Sequence, residues 1–289
     1  MKGTLMHHPI QIKLIRLYFA LVSPLLPSLA VYSAHRLFHS PVNSKRKNQN
    51  EKEVAAPEKF YVHLDDETKL QAYRWGGKYN PAVLLVHGWS TTTKSMTNIL
   101  DILLKNNYQV ISYDALRHGE SGGKFSDLAG WADSVHAVMK KLGKVECIIA
   151  HSFGTAAVTV ASKLGLKTKK LVFIAPIADM SAVAHKVGKH LGIPMEIIDK
   201  MHAYTWKHNE KSFTKYGNDW ETLLQSNFKV PTLIFHDKED REIGIEHSKL
   251  LFKRWPWAKL VSTEGLGHRK ILDDETVAEK VLAFIQEKS

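Results

Sequence analysis

The sequence lacks several features that mark particular classes of protein. It has one cysteine, Cys147, inside the apolar run Val145–Ala150, so a disulfide within the chain is impossible and a buried structural thiol is expected. Beyond residue 58 no block of Lys and Arg has interleaved aromatic residues, and despite a net charge of +11 we expect no nucleic-acid binding. The histidines show no regular ligand spacing, so neither a metal site nor a cofactor is predicted.

The length and composition fit a folded protein with a sizeable core. The 289 residues are 44% hydrophobic and 24% charged, which excludes disorder for most of the chain. A single domain with an insertion is consistent with this length.

The first 40 residues predict a hydrophobic membrane-anchor segment. An apolar run without charge extends from Leu17 to Ala34, close to the minimum for a bilayer-spanning helix, and basic residues lie at both of its ends. The protein is therefore expected to be membrane-anchored by this segment, with the side of the membrane left open. Two alternatives remain: a secretory signal cleaved near Ser28-Leu29-Ala30, or a soluble helix that packs on the body of the protein.

Residues 41–58 are polar, charged and bounded by prolines, which predicts a solvated linker. Residues 59–289 then predict one α/β domain. Its first two strands form a hairpin, and strands and helices alternate afterwards, as in a mostly parallel sheet with helices on both faces. The predicted strands are Lys59–Leu64, Leu70–Trp75, Ala82–Val86, Gln109–Tyr113, Val145–Ala150, Lys170–Ile174, Pro231–Phe235 and Lys259–Val261.

The alternation stops between about residues 178 and 229, where helical patterns rich in Met, His and Trp replace it. We interpret this insertion as a small helical cap over the carboxyl edge of the sheet. Helices packed on the flank of the domain would account for the same apolar residues. Ligands of such sheets bind at the carboxyl ends of the strands, so the residues that follow each strand are the candidates for function.

Ser152 lies in Ala150-His151-Ser152-Phe153-Gly154, directly after an apolar strand and directly before a helix. A serine in this position sits on a sharp turn that exposes its hydroxyl, and the turn needs small residues two positions to either side. This stretch resembles the nucleophile turn of the α/β-hydrolase superfamily, with alanine in place of the first glycine. The resemblance implies an α/β-hydrolase fold with a helical cap, and Ser152 as the nucleophile.

Two further stretches extend the resemblance. His87-Gly88-Trp89 follows a buried strand, as the family's His-Gly element does, and implies an oxyanion hole made by the backbone N–H groups of Trp89 and Phe153. Asp114–Ser121, DALRHGES, resembles the family's Asp-x-x-x-His-Gly-x-Ser stretch, whose role there is mostly structural.

The resemblance also supplies an acid and a base. Asp240 follows the strand Pro231–Phe235 and matches the family's acid position, with Asp237 as second choice and Asp179 at a rarer alternative position. His268 precedes the last helix, where the family has its base. The order Ser, Asp, His along the chain is also that of the family.

These residues imply a serine hydrolase that cleaves a carboxylic ester or thioester of a small-molecule acyl substrate through an acyl-enzyme intermediate. A serine nucleophile disfavours dehalogenase and epoxide hydrolase chemistry, which use aspartate. A serine peptidase or amidase of the same fold, or a non-catalytic binding protein that retains it, is the alternative. The acyl chain, the leaving group and the oligomeric state are left open.

Overall fold

The structure is a computed structural model that describes residues 9–41, 57–217, 224–226 and 228–287. Its strands are β1 (Glu58–His63), β2 (Lys69–Trp75), β3 (Ala82–Val86), β4 (Gln109–Tyr113), β5 (Lys144–His151), β6 (Lys167–Ile174), β7 (Thr232–Asp237) and β8 (Ala258–Thr263). Across the described residues they form one eight-stranded sheet in the order β1-β2-β4-β3-β5-β6-β7-β8. The pairs β1·β2 and β2·β4 are antiparallel, and the remaining pairs are parallel.

The helices precede the strands, connect them or follow the last one. They are α1 (Pro9–Leu25), α2 (Pro27–Phe38), α3 (Thr97–Lys105), α4 (Leu128–Leu142), α5 (Phe153–Ala161), α6 (Met180–Leu191), α7 (Met195–His208), α8 (Glu210–Phe213), α9 (Glu246–Arg254), α10 (Gly267–Lys270) and α11 (Glu275–Gln286). Three of them begin at an aspartate whose side chain accepts a backbone N–H, namely Asp127 before α4, Asp179 before α6 and Asp274 before α11.

The sheet is buried on both faces, as its continuous apolar strands predicted. In β3, Leu84 and Val86 belong to the core on the face covered by α4, α5 and α9, whereas Val83 and Leu85 belong to the core on the face covered by α3 and α11. Successive side chains of a strand point to opposite faces, so an apolar run without alternation needs helices on both sides. The predicted mostly parallel sheet with helices on both faces is confirmed.

Helices α6, α7 and α8 lie between β6 and β7 and form the cap. Some of their side chains face the main core, including Phe213, which is fully buried, and Trp206, which is partly buried. A separate core lies on the other side of the cap. Its buried members come from the cap and from the N-terminal helices: Phe19, Ala30, Val31, Ala34, Ala184, Leu191, Ile193, Ile197, Ile198 and Met201.

The N-terminal segment is a helical hairpin packed on the cap. The guanidinium of Arg16 donates to the backbone carbonyl of His190 at 2.7 and 3.1 Å, near the end of α6. In α2, Nδ1 of His35 bonds to the hydroxyl of Thr205 at 2.9 Å. This arrangement matches the third interpretation of the segment, a helix packed on the body of the protein.

The expected membrane anchor is therefore wrong. Over the part of the chain that the structure describes, no helix is long and apolar enough to cross a membrane. The physical reason lies at Leu26, which leaves the helical conformation before Pro27 starts a new helix. The two helices have 17 and 12 residues, or about 25 and 18 Å, less than the roughly 30 Å of a hydrocarbon core. Most of the predicted linker 41–58 lies outside the described residues.

Candidate active site

The turn between β5 and α5 presents Ser152. The serine has a φ of 51° and a ψ of −122°, a conformation that costs a residue other than glycine about 1–3 kcal/mol. Its N–H donates to the carbonyl of Ile174 at 3.0 Å, which ties the turn to the neighbouring strand. A Cβ on Gly154 would stand 2.4 Å from the carbonyl oxygen of His87, so this position requires glycine.

His268 lies within hydrogen-bonding reach of Ser152. Its Nε2 is 2.9 Å from the Ser152 hydroxyl oxygen, and its Nδ1 is 2.7 Å from Oδ2 of Asp240. A carboxylate can only accept, so Nδ1 carries the proton and Nε2 is left to accept from the serine. Ser152 and Asp240 lie 116 and 28 positions from His268 along the chain, and the fold brings the three side chains together.

Asp240 is held by more than the histidine. Its Oδ1 accepts the backbone N–H groups of Glu242 at 2.8 Å and of Ile243 at 2.9 Å. Burial acts to raise the pKa of Asp240, but hydrogen bonds from His236 and His268 outweigh it and hold the pKa below the usual range of an aspartate. The carboxylate therefore stays ionised beside the imidazole.

The alternative acids lie elsewhere. Asp237 is fully buried and accepts hydrogen bonds from the Thr263 hydroxyl at 2.8 Å and from the N–H of Leu266 at 3.0 Å. These bonds stabilise the loop that leads to His268. Asp179 is exposed and caps α6 by accepting the N–H of Ala182 at 2.9 Å. Among the three candidate acids, Asp240 is the one whose carboxylate contacts the imidazole.

Of the two residues predicted to form an oxyanion hole, Phe153 directly follows the serine and Trp89 packs against Phe153. Phe153 is the first residue of α5, and the first N–H groups of a helix have no acceptor within the helix. Trp89 lies on the loop after β3, and its ring centroid is 5.1 Å from that of Phe153. The loop turns at Ser90, which has a φ of 53°.

Two buried histidines hold this loop. His87 accepts the N–H of Ala115 at 3.0 Å, and His118 accepts the N–H of Ser90 at 2.9 Å. Each donates its other ring N–H to a backbone carbonyl, at 2.8 Å in both cases. Burial lowers the pKa of His87 to about 4 and that of His118 to about 3, so both rings are neutral near neutral pH and can accept a hydrogen bond.

These supporting residues were missed or undervalued in the sequence. His118 stands in the stretch Asp114–Ser121, which was expected to be mostly structural, but its ring supports the loop that carries Trp89. His236 is fully buried below Asp240, with its Nε2 3.5 Å from Oδ2 and its Nδ1 2.6 Å from the Ser248 hydroxyl. The available signal was position, since His118 lies on the loop after β4 and His236 lies near the carboxyl end of β7.

The site holds no arrangement suited to a metal ion in the described ranges, where no group of three His, Cys, Asp or Glu side chains is placed to bind one. At the site, a hydroxyl, an imidazole and a carboxylate follow one another at hydrogen-bond distances, which is the arrangement that nucleophilic acyl transfer requires.

Comparison with known proteins places the chain in a family. The model of the Alpha/beta hydrolase family matches residues 83–280. Among curated proteins, the bifunctional esterase/perhydrolase DCH of Acinetobacter calcoaceticus is 24% identical over 278 residues, with 78% of this chain and 99% of that protein covered.

Solved structures share the fold. An esterase of Pyrococcus furiosus, Pf2001, has a TM-score of 0.63 at 18% identity and covers 86% of this chain and 96% of its own. Est1E of Butyrivibrio proteoclasticus, solved with ferulic acid, has a TM-score of 0.58 at 21% identity and covers 79% of this chain and all of its own. Because the family model matches more than half of the chain, the protein belongs to the alpha/beta hydrolase family, as the resemblance in its sequence indicated.

Proposed function

We propose that this protein is a serine hydrolase that cleaves a carboxylic ester or thioester through Ser152, His268 and Asp240. One observation carries the proposal. The Ser152 hydroxyl, the two ring nitrogens of His268 and the Asp240 carboxylate form one hydrogen-bonded chain, with distances of 2.9 and 2.7 Å. In that order the groups can move a proton away from the hydroxyl.

In the proposed reaction, His268 Nε2 takes the proton of Ser152 while the serine oxygen bonds to the carbonyl carbon of the substrate. The carbonyl electron pair moves onto its oxygen, which accepts hydrogen bonds from the N–H groups of Trp89 and Phe153. Loss of one such donor typically costs about 10²–10³ in kcat. Asp240 stabilises the imidazolium that forms.

The tetrahedral intermediate then collapses and expels the alkoxide or thiolate leaving group, which takes the proton from His268. Water attacks the resulting acyl-serine in the same manner, with His268 as base, and releases the acid and the free hydroxyl. Every proton taken by the imidazole is returned in the following step, so no cofactor is needed.

Two further observations support ester or thioester substrates. The relatives include proteins named as esterases, which supports a hydrolase that acts on ester bonds. The cap contributes apolar side chains that pack against the main core but remain partly exposed, among them Met180, Val183 and Trp206. We propose that these side chains bind the acyl group, which would then be partly lipophilic.

The test is a chain-length series of p-nitrophenyl esters, hydrolysed by the wild type and by S152A. We expect turnover by the wild type and a loss of at least about 10³-fold in S152A. Labelling by a fluorophosphonate should follow the same pattern, because only an activated serine reacts. Equal rates for the two proteins would refute the proposal, and turnover confined to p-nitroanilides would favour a peptidase or amidase.

A further inference from the structure

His151 immediately precedes the proposed nucleophile, and its side chain reaches the residue proposed as the base. It is the last residue of β5, and it is 2% exposed. Its Nε2 is 3.0 Å from the backbone carbonyl oxygen of His268, and the two ring centroids are 4.8 Å apart. A carbonyl only accepts, so Nε2 carries the proton and donates it to this hydrogen bond.

The other ring nitrogen of His151 makes no hydrogen bond. Once Nε2 is protonated in a neutral ring, Nδ1 is an acceptor, and within the described residues this buried atom has no hydrogen-bond partner. It faces the backbone at Gly88, where an added Cβ would stand only 2.9 Å away. A buried acceptor without a donor destabilises a fold, so a histidine at this position is not explained by packing.

The surroundings keep the ring neutral. Burial is the main cause, and the neighbouring imidazole of His268 adds to it, so the pKa of His151 is far below the ordinary value. A neutral ring adds no positive charge next to the imidazolium that His268 becomes during the proposed reaction. The ring contributes its Nε2–H group, which is held in a fixed direction toward the His268 carbonyl.

We propose that His151 is a positioning residue that holds the base against the nucleophile by donating a hydrogen bond from Nε2 to the backbone carbonyl of His268. This inference rests on the proposed function. The side chain of Asp240 orients the imidazole at Nδ1, whereas His151 holds the backbone from which that imidazole projects. Since Ser152 is the next residue in the chain, the hydrogen bond fixes the two reacting groups relative to each other.

The role separates from a merely structural one through kcat, because a structural role would leave kcat of the folded variant unchanged, whereas a positioning role lowers it. H151M removes the donor and also removes the unpartnered acceptor. We expect kcat to fall about 10–100-fold, because small displacements of reacting groups are costly, while KM changes by less than about threefold. The melting temperature should change little, because the loss of the donor to the His268 carbonyl and the removal of the unpartnered acceptor act in opposite directions.

H151Q provides the rescue. A glutamine amide nitrogen reaches about as far as Nε2 and can donate to the His268 carbonyl, so kcat should recover to within about fivefold of the wild type. The shorter H151N cannot reach that carbonyl and should behave as H151M does. It replaces H151M if circular dichroism shows that the methionine variant is not folded.

The matched control is H35M, which makes the same substitution at another buried histidine. His35 is 7% exposed, and its Nδ1 bonds to Thr205 in the interface between hairpin and cap, away from the proposed reacting groups. H35M should lower the melting temperature, since it leaves the Thr205 hydroxyl without this partner, and should keep kcat within about twofold.

All variants are assayed as the full chain on a p-nitrophenyl ester, next to the wild type and S152A. If the wild type is no faster than S152A, the proposed function fails, and the role of His151 fails with it. If the wild type is active, three results would each overturn the role of His151 alone: an unchanged kcat in H151M and H151N, no recovery in H151Q, or an equal loss of kcat in H35M.

Discussion

Replacing Asp240 by asparagine tests the proposed mechanism at its acid. The structure dictates how the new amide would lie, because Oδ1 accepts the backbone N–H groups of Glu242 and Ile243 at 2.8 and 2.9 Å. The amide oxygen has to keep those two bonds, so the NH2 group takes the place of Oδ2, 2.7 Å from Nδ1 of His268. Two N–H groups cannot point at each other, and Nδ1 must give up its proton.

The consequence is the wrong tautomer. The imidazole then carries its proton on Nε2, which faces the Ser152 hydroxyl and can no longer accept from it. Loss of the correct tautomer lowers kcat about 10⁴-fold while folding is retained. The measurement is kcat and KM on a p-nitrophenyl ester, with circular dichroism and a urea unfolding curve to verify that D240N is folded.

Two other aspartates provide controls for D240N. Asparagine is as good a helix cap as aspartate, so D179N should keep both its stability and its kcat. Both oxygens of Asp237 accept hydrogen bonds, and D237N keeps only one acceptor oxygen. This variant should lower the melting temperature, with only a small effect on kcat. A kcat of D240N within about threefold of the wild-type value would refute the reasoning. A larger loss of kcat in D237N or D179N would identify that residue as the acid.

Two further predictions concern stability. Lys170 is 2% exposed and donates to backbone carbonyls at the end of α11, so K170M should lower the free energy of unfolding by about 2–3 kcal/mol. Lys169 is exposed, and K169M should change the free energy of unfolding by less than about 1 kcal/mol. Equal urea midpoints for the two variants would contradict this prediction. Burial, followed by the charge of His39, lowers the pKa of His35 from 6.5 to about 4. The unfolded chain therefore binds a proton first as the pH falls, and stability is lost between about pH 6.5 and 4, with His35 contributing up to about 3 kcal/mol. In urea unfolding at pH 7 and 4.5, the free energy of unfolding of H35N should fall less between the two pH values than that of the wild type. An equal fall in the two proteins would contradict the assignment.

The sheet could be read from the sequence because its signals are local. Several buried strands contain an unbroken apolar run, as in Ala82–Val86, and the residue type that follows such a run is visible at once. Ser152 could be found in the same way, since a serine between a buried strand and a helix is typical of a nucleophile turn. The proposed base and acid were indicated by the family resemblance, at positions after later strands.

The supporting contacts could not be read in this way. His151 donates a hydrogen bond to a carbonyl 117 positions away, and His118 accepts one from an N–H 28 positions away. The residues next to each histidine in the chain therefore do not indicate its partner. Both contacts use the backbone of the partner, which any residue type offers. Only a description of which atoms are buried and paired reveals them.

The prediction for the N-terminal helices was wrong for a different reason. Hydropathy reports that a side chain avoids water, but it does not report whether lipid or protein covers it. Phe19, Val31 and Ala34 are covered by the cap. The prolines that mark the break at Leu26 and Pro27 are visible in the sequence, but a membrane helix can tolerate them, whereas this protein uses the break to fold the segment back on itself.

The packing of this hairpin on the cap has a consequence during synthesis. The ribosome makes α1 and α2 first, and their partners in α6 and α7 follow roughly 150 residues later. At about 5–20 residues per second, the hairpin waits on the order of ten seconds before the surface that buries Phe19 and Val31 exists. During that interval the nascent chain exposes the apolar side chains that the cap later buries.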